Sequence, residues 1–144
     1  TIQGTVGSFL SNNDPWVAEL WAPAGRCLRI AVTAQGTDLE TVVRAPNGQV
    51  FRNDDQGGAV CPLCPLVKIA NTPNRGWYAV SINHFAGTAV AADFTLQYQH
   101  YPVGNVNCAG ATIPVVASDE AVKLQKNPAA EIQQQGEEGG PTGQ

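Results

Sequence analysis

Residues 16–33 read WVAELWAPAGRCLRIAVT. Two segments in which side chains alternate with a period of two flank the turn Pro23-Ala24-Gly25. In the first segment Trp16, Ala18 and Leu20 fall on one side, and the second segment continues the same rhythm. Because successive side chains of a β-strand point to opposite faces of a sheet, this period predicts two strands, each with one buried face. Proline and glycine in the turn mark where one strand ends and the next begins.

The same rhythm continues along the chain as far as Tyr98. Turn residues separate the alternating segments, among them Pro46-Asn47-Gly48 and Asn74-Arg75-Gly76. With a short first strand inside residues 2–9, about eight short strands at regular spacing are expected. We therefore predict an all-β fold, a jelly-roll-like antiparallel β-sandwich, for residues 1–101.

The composition changes after this region, and residues 102–144 are predicted to form a C-terminal extension. Residues 111–117 are a compact β-prone run, which predicts a short strand. Acidic residues followed by a lysine over 118–126 predict a short helix, and Asn127-Pro128 predicts the start of a second one. The last nine residues, 136–144, are polar and rich in glycine.

Charge and hydropathy exclude two classes of function. The 144 residues include 8 Lys and Arg against 12 Asp and Glu, a formal net charge of −4, and no basic stripe is present. The electrostatic signature of a nucleic-acid-binding protein is therefore missing. No apolar run approaches the roughly 18 residues that a membrane-spanning helix needs. We predict neither nucleic-acid binding nor membrane insertion.

Two features predict a secreted or periplasmic protein, most simply a bacterial one. The sequence contains no methionine and begins with Thr1, which indicates a processed N terminus or a fragment. Removal of a signal peptide is the commonest cause of such an N terminus. The number of cysteines is even, as expected for disulfides formed in an oxidising compartment. They are Cys27, Cys61, Cys64 and Cys108.

The motif Cys61-Pro62-Leu63-Cys64 has several possible uses. A redox pair would need a strand-to-helix setting that this sequence lacks, and a zinc site would need a second closely spaced pair. Covalent haem attachment fails because Pro65 stands where histidine is required. Structural disulfides are the best interpretation. Four cysteines allow three pairings, and we favour Cys61–Cys64 closing its loop and Cys27–Cys108 attaching the extension to the sandwich.

A series of short motifs follows one another in a recognisable order over about residues 3–100. They are residues 14–20, 22–25, 28–30, 37–43, 45–48, 53–55, 76–80 and 92–96. Their order resembles that of the bacterial pre-peptidase C-terminal (PPC) domain family. That resemblance implies a jelly-roll sandwich, usually an appendage of a secreted hydrolase. Such appendages help secretion, bind substrate or associate with partners without catalysis of their own, and some relatives bind calcium. The chain departs from the family in its four cysteines, and it carries no protease domain.

Clustered carboxylates lie at Asp54 and Asp55, with Asp38 in a nearby turn. Calcium requires six to eight oxygen ligands, and loop carboxylates could supply several of them. The alternative is that Asn53-Asp54-Asp55 only shapes a turn through hydrogen bonds from side chain to backbone. Apart from a calcium ion at this loop, no cofactor is expected.

Two sets of residues are candidates for interactions. Trp21 and Trp77 fall opposite the predicted core positions of their strands, where an aromatic side chain can anchor a protein interface or stack on a sugar ring. In the extension, Ile113, Val115 and Val116 belong to the β-prone run. That run could add to an exposed sheet edge of another chain, or it could pair with the sandwich of its own chain.

Catalysis has little support in this sequence. Only two histidines are present, and His84 cannot pair with Ser81 because the two residues point to opposite faces of one strand. We predict that the chain is not an enzyme and that it acts by association with protein, with itself or with a larger exported complex. The alternative is a binding module for polysaccharide or protein substrate. A hydrolase or redox enzyme would need a free reactive thiol at Cys61 or Cys64.

Overall fold

The computed structural model describes residues 1–6, 15–56, 58–85 and 91–115. Its described part contains strands and a short 3-10 helix, Val106–Cys108. The strands are β1 (Ile2–Val6), β2 (Trp16–Ala22), β3 (Arg26–Gln35), β4 (Leu39–Arg44), β5 (Val50–Asn53), β6 (Leu66–Ile69), β7 (Gly76–His84) and β8 (Ala92–Pro102).

These strands form two four-stranded antiparallel sheets that pack as a sandwich. The first sheet has the order β1-β8-β3-β6, and the second has the order β2-β7-β4-β5. Consecutive strands β1 to β4 alternate between the sheets, and this order is that of a jelly roll, which contains two Greek keys. The predicted all-β sandwich is therefore confirmed.

The core lies between the sheets and follows the period of two seen in the sequence. On β7 the side chains of Tyr78, Val80 and Ile82 are completely buried, and β8 contributes Phe94 and Leu96 in the same way. Burying one such side chain contributes roughly 1.5–3 kcal/mol, so this alternation decides which face of each strand points inward.

At one side of the core a glycine permits a close contact between the sheets. Trp16 on β2 meets Phe94 on β8 edge to face, with 5.2 Å between ring centroids. A Cβ atom on Gly4 would lie 2.7 Å from the Phe94 ring and 2.8 Å from Trp16 Nε1, so any larger residue would displace the aromatic pair. Trp16 is partly buried and packs against the core.

Both predicted disulfides are present, with the favoured pairing. Cys27 on β3 is joined to Cys108 in the 3-10 helix, and Cys61 is joined to Cys64 within its loop. Hydrogen bonds hold the same C-terminal segment against the first sheet. The Arg29 guanidinium donates to the Asn107 carbonyl at 3.1 Å, and the Thr112 amide donates to the Lys68 carbonyl at 2.8 Å.

The structure divides into two compact units, Thr1–Pro114 and Val115–Gln144. The first contains all eight strands and the 3-10 helix. In the second, only Val115 is among the described residues, so the helices predicted over 118–135 and the glycine-rich end at 136–144 lie outside them.

Candidate interaction surface

The two candidate tryptophans lie side by side on the outer face of the second sheet. Trp21 on β2 and Trp77 on β7 are directly opposite each other in the antiparallel register. Their rings meet edge to face, with 5.5 Å between centroids and 74° between planes. They remain 48% and 57% exposed, respectively, although they touch each other. Two large apolar side chains therefore form one raised, solvent-facing feature.

Alternation along the strands explains why these rings face outward. Each tryptophan sits next to a buried residue of its own strand, Leu20 on β2 and Tyr78 on β7. Because neighbouring side chains point to opposite faces, the burial of Leu20 and Tyr78 forces both tryptophans to the outside. The sequence predicts this outward orientation, but the contact between the two rings depends on strand pairing across 56 residues of chain.

The same face carries residues that sequence reasoning did not single out. In the next row Glu19 on β2, Ala79 on β7 and Arg44 on β4 are register partners, with Ala79 between the other two. In the row after that, Val17 and Val42 flank Ser81 in the same way. We call this surface the tryptophan face. It consists of Val17, Glu19, Trp21, Val42, Arg44, Trp77, Ala79 and Ser81.

A proline packs against β7 at the first residue of that strand. Gly76 has a φ of +146°, and a Cβ atom there would lie 2.9 Å from Cγ of Pro46. Gly76 is the register partner of the buried Ala22, so this contact lies on the side of β7 that faces away from the tryptophan face. Glycine is required at this position both by its conformation and by the close approach of the ring.

The charges of the tryptophan face differ in how they are compensated. Beside Val42, at the end of the face away from the tryptophans, Arg52 and Glu40 form a salt bridge of 2.6 Å. Glu19 and Arg44 are both exposed, and among the described residues neither side chain makes a hydrogen bond or an ion pair. The face therefore offers one negative and one positive group to an incoming partner.

The candidate residues of the C-terminal extension, Ile113, Val115 and Val116, do not belong to the tryptophan face. Ile113 is 83% exposed, and Val115 is partly buried. Next to Ile113, Thr112 pairs with β6 of its own chain, because its hydroxyl also accepts a hydrogen bond from the Lys68 amide at 2.9 Å. The start of the β-prone run thus adds to a sheet edge within the same chain. Val116 lies outside the described residues.

The acidic loop is organised by an asparagine. The side-chain oxygen of Asn53 accepts hydrogen bonds from three backbone amides, those of Asp55, Gln56 and Leu66. This arrangement is the turn-forming role that was the alternative to calcium binding. Among the described residues no group of three or more His, Cys, Asp or Glu side chains is positioned to hold a metal ion. The calcium site with Asp38, Asp54 and Asp55 stays a prediction.

Asp54 is nevertheless electrostatically coupled to its neighbours. Burial, followed by the negative charges of Asp55 and Asp38, raises the pKa of Asp54 above its ordinary value of 3.8. A raised pKa means that the folded state binds this proton more tightly than the unfolded chain does. The stability that Asp54 contributes is therefore fully present below the ordinary pKa, and it is lost as the pH rises through the higher pKa of the folded state.

We expect Asp54→Asn to stabilise the protein slightly at neutral pH. The gain should be well under ~1 kcal/mol, because partial exposure screens the charges involved. At about pH 3, where wild-type Asp54 is protonated, the two proteins should have the same stability. Urea unfolding of both proteins at the two pH values measures this difference. A variant that is less stable than wild type at neutral pH would contradict the assignment.

A polar depression lies on the outer face of the first sheet, remote from the tryptophans. Its volume is about 550 Å³, and polar side chains line it on β1, β3 and β8. The Thr5 hydroxyl donates to Asp93 Oδ1 at 2.6 Å. Hydroxyl, amide and carboxylate groups in such a depression suit a hydroxyl-rich ligand. The polar lining residues are Gln3, Thr5, Gln35, Asp93 and Thr95.

Cys61 and Cys64 are joined in a disulfide, so neither is a free thiol in this structure.

Comparison with models of known protein families finds no match for the chain, and a search of curated proteins finds none either. The resemblance to the PPC domain family stays a prediction. In the part of the chain that the structure describes, no helix is long and apolar enough to cross a membrane.

Proposed function

We propose that this chain is a non-catalytic β-sandwich module that acts by association with another protein through the tryptophan face. The observation that supports the proposal is the pair Trp21 and Trp77, which are half exposed and in contact on one sheet. Tryptophan is enriched among the residues that dominate protein interfaces, because one ring removes a large apolar area from water at small entropic cost.

The angle between the rings favours a protein partner over a flat polysaccharide. Sugar rings of an extended polymer stack best on aromatic rings that share one plane, and these two planes are inclined by 74°. Only one of the two faces can therefore lie flat against such a polymer. An inclined pair presents a ring face and a ring edge together, which the varied side chains of a protein surface can contact.

The disulfides support a location outside the cytoplasm. Both are compatible with an oxidising compartment, and Cys27–Cys108 closes a loop with a sequence separation of 81. We propose a secreted or periplasmic site of action, with the module serving as a subunit or accessory of an exported assembly. A distant relationship to the PPC domains would fit this role. Ile113 and the run that follows it are candidates for a second contact.

A polysaccharide-binding role is the second candidate, and a different surface favours it. The polar depression on the first sheet presents amide, hydroxyl and carboxylate groups from Gln3, Thr5 and Asp93. This chemistry suits hydroxyl groups of a glycan, which the tryptophan face does not match. The two candidate functions therefore use opposite sides of the sandwich and respond to different substitutions.

Retention of partners by an immobilised bait tests the proposed function. Wild-type protein, Trp21→Ser/Trp77→Ser and the control Tyr98→Ser are incubated with the exported proteins of the source organism, and retained proteins are identified by mass spectrometry. We expect at least one protein to be held by wild type and by the control but lost from the double variant. Equal retention by all three baits would contradict the proposal. Binding to polysaccharides that Asp93→Ala removes would instead support the second candidate.

A further inference from the structure

Two rows of the tryptophan face carry complementary groups on the two sides of β7. On one side β2 presents Glu19 and Val17 in successive rows. On the other side β4 presents Arg44 and Val42 in the same two rows. The pairs are thus an acid with a base, and valine with valine.

Such a pattern is complementary to itself under one particular twofold rotation. If two copies of this face pack together with the twofold axis in the interface and along β7, the β2 side of one copy lies over the β4 side of the other. Glu19 then meets Arg44 of the other copy, and the same contact is repeated on the opposite side of the axis. An axis across the strands would instead bring Glu19 against Glu19, which is repulsive.

We propose that the partner bound by the tryptophan face is a second copy of this chain, an inference that rests on the proposed function. The copies form a face-to-face twofold dimer whose axis runs along β7. Trp77, on the axis, meets its counterpart, and Trp21 extends towards the end of β4 of the other copy. Glu19 and Arg44 acquire partners there that they lack among the described residues of their own chain. Aligned packing of two twisted sheets is a common arrangement.

The size of the face predicts a weak dimer. The three strands of the face, about 4.8 Å apart with β2 seven residues long, give an overlap of about 14 by 23 Å. Both copies together would bury on the order of 650 Å², which is below the usual size of specific interfaces, so we expect weak association. Association should therefore be visible only in concentrated protein.

Charge reversal tests this geometry with the purified full chain. Sedimentation equilibrium of the wild type should show the mass rising with concentration from 15.1 kDa towards twice that value. Glu19→Arg places two arginines against each other at both symmetric contacts, and Arg44→Glu does the same with two glutamates. We expect each variant alone to raise the dimer dissociation constant on the order of 10- to 30-fold.

An equimolar mixture of the two variants provides the decisive measurement. In the mixed dimer the Glu19→Arg site of one copy faces the Arg44→Glu site of the other, which restores a pair of opposite charges at that contact. At the second contact the unchanged Arg44 faces the unchanged Glu19, so association should return to nearly the wild-type strength. Because both sites are exposed, the variants should unfold at the wild-type urea concentration, which checks that they are folded. The control Asp93→Arg, which reverses an exposed charge on the first sheet, should dimerise as wild type does.

Three results would overturn the proposal. The wild type could remain a monomer up to millimolar concentration, the single variants could dimerise normally, or the mixture could fail to recover association. A monomeric wild type whose bait still retains another protein in a tryptophan-dependent manner would reject the second copy and leave the proposed function standing. Loss of both self-association and tryptophan-dependent retention would reject the two proposals together.

Discussion

Replacing Cys27 and Cys108 together with alanine is expected to lower the free energy of unfolding by about 4–5 kcal/mol, because their disulfide closes a long loop. In the chain-entropy account, a cross-link stabilises by restricting the unfolded chain, and the effect grows with the number of residues enclosed. Cys27 and Cys108 are 81 residues apart in sequence, and the side chains of both are buried.

The second disulfide is the matched control for this prediction. Cys61 and Cys64 are separated by three positions, so replacing both with alanine should cost only about 2 kcal/mol. Urea unfolding of the two double variants beside wild type measures both values under the same conditions. Equal losses, or a larger loss at Cys61 and Cys64, would show that loop closure is not the dominant contribution.

Substitution of both tryptophans should have the largest effect on association. We expect Trp21→Ser/Trp77→Ser to weaken partner binding at least roughly 30-fold, because central tryptophans of an interface commonly contribute 2 kcal/mol or more each. The cost to the fold should be small, because both rings are about half exposed in the sandwich. The edge-to-face contact that is lost is worth only about 0.5–1.5 kcal/mol.

Two comparisons separate binding from folding in that experiment. Urea unfolding should show that the double variant retains most of the wild-type stability. Tyr98→Ser removes an aromatic ring that is 40% exposed on the first sheet, and it should leave binding unchanged. If Tyr98→Ser weakens association as much as the tryptophan substitutions do, the binding surface lies elsewhere.

The strands could be predicted because they depend on local rules. Alternation of apolar residues such as Tyr78, Val80 and Ile82 reports burial directly, so about eight strands were expected and eight are present among the described residues. The disulfide pairing did not follow from the sequence, because four cysteines allow three pairings. The pairing that we favoured, Cys61–Cys64 and Cys27–Cys108, is the one present.

The composition of the tryptophan face could not be predicted in the same way. Which strands become neighbours depends on tertiary packing of the whole sandwich, so the row of Glu19, Ala79 and Arg44 has no signature in the sequence. A similar limit applies to Asn53, whose side chain reaches the Leu66 amide across a loop. Only the outward direction of Trp21 and Trp77 could be read from local alternation.

Hydroxyl-radical footprinting tests most directly whether association covers the tryptophan face. Oxidation of each aromatic residue is measured in dilute wild-type protein and in the complex, either concentrated protein or the partner held by the bait. We expect oxidation of Trp21 and Trp77 to fall several-fold in the complex, while Tyr98 and Phe85, which are 40% and 51% exposed, stay as reactive as before. Unchanged oxidation of Trp21 and Trp77 together with protection of Tyr98 or Phe85 would contradict the assignment of this face as the association surface.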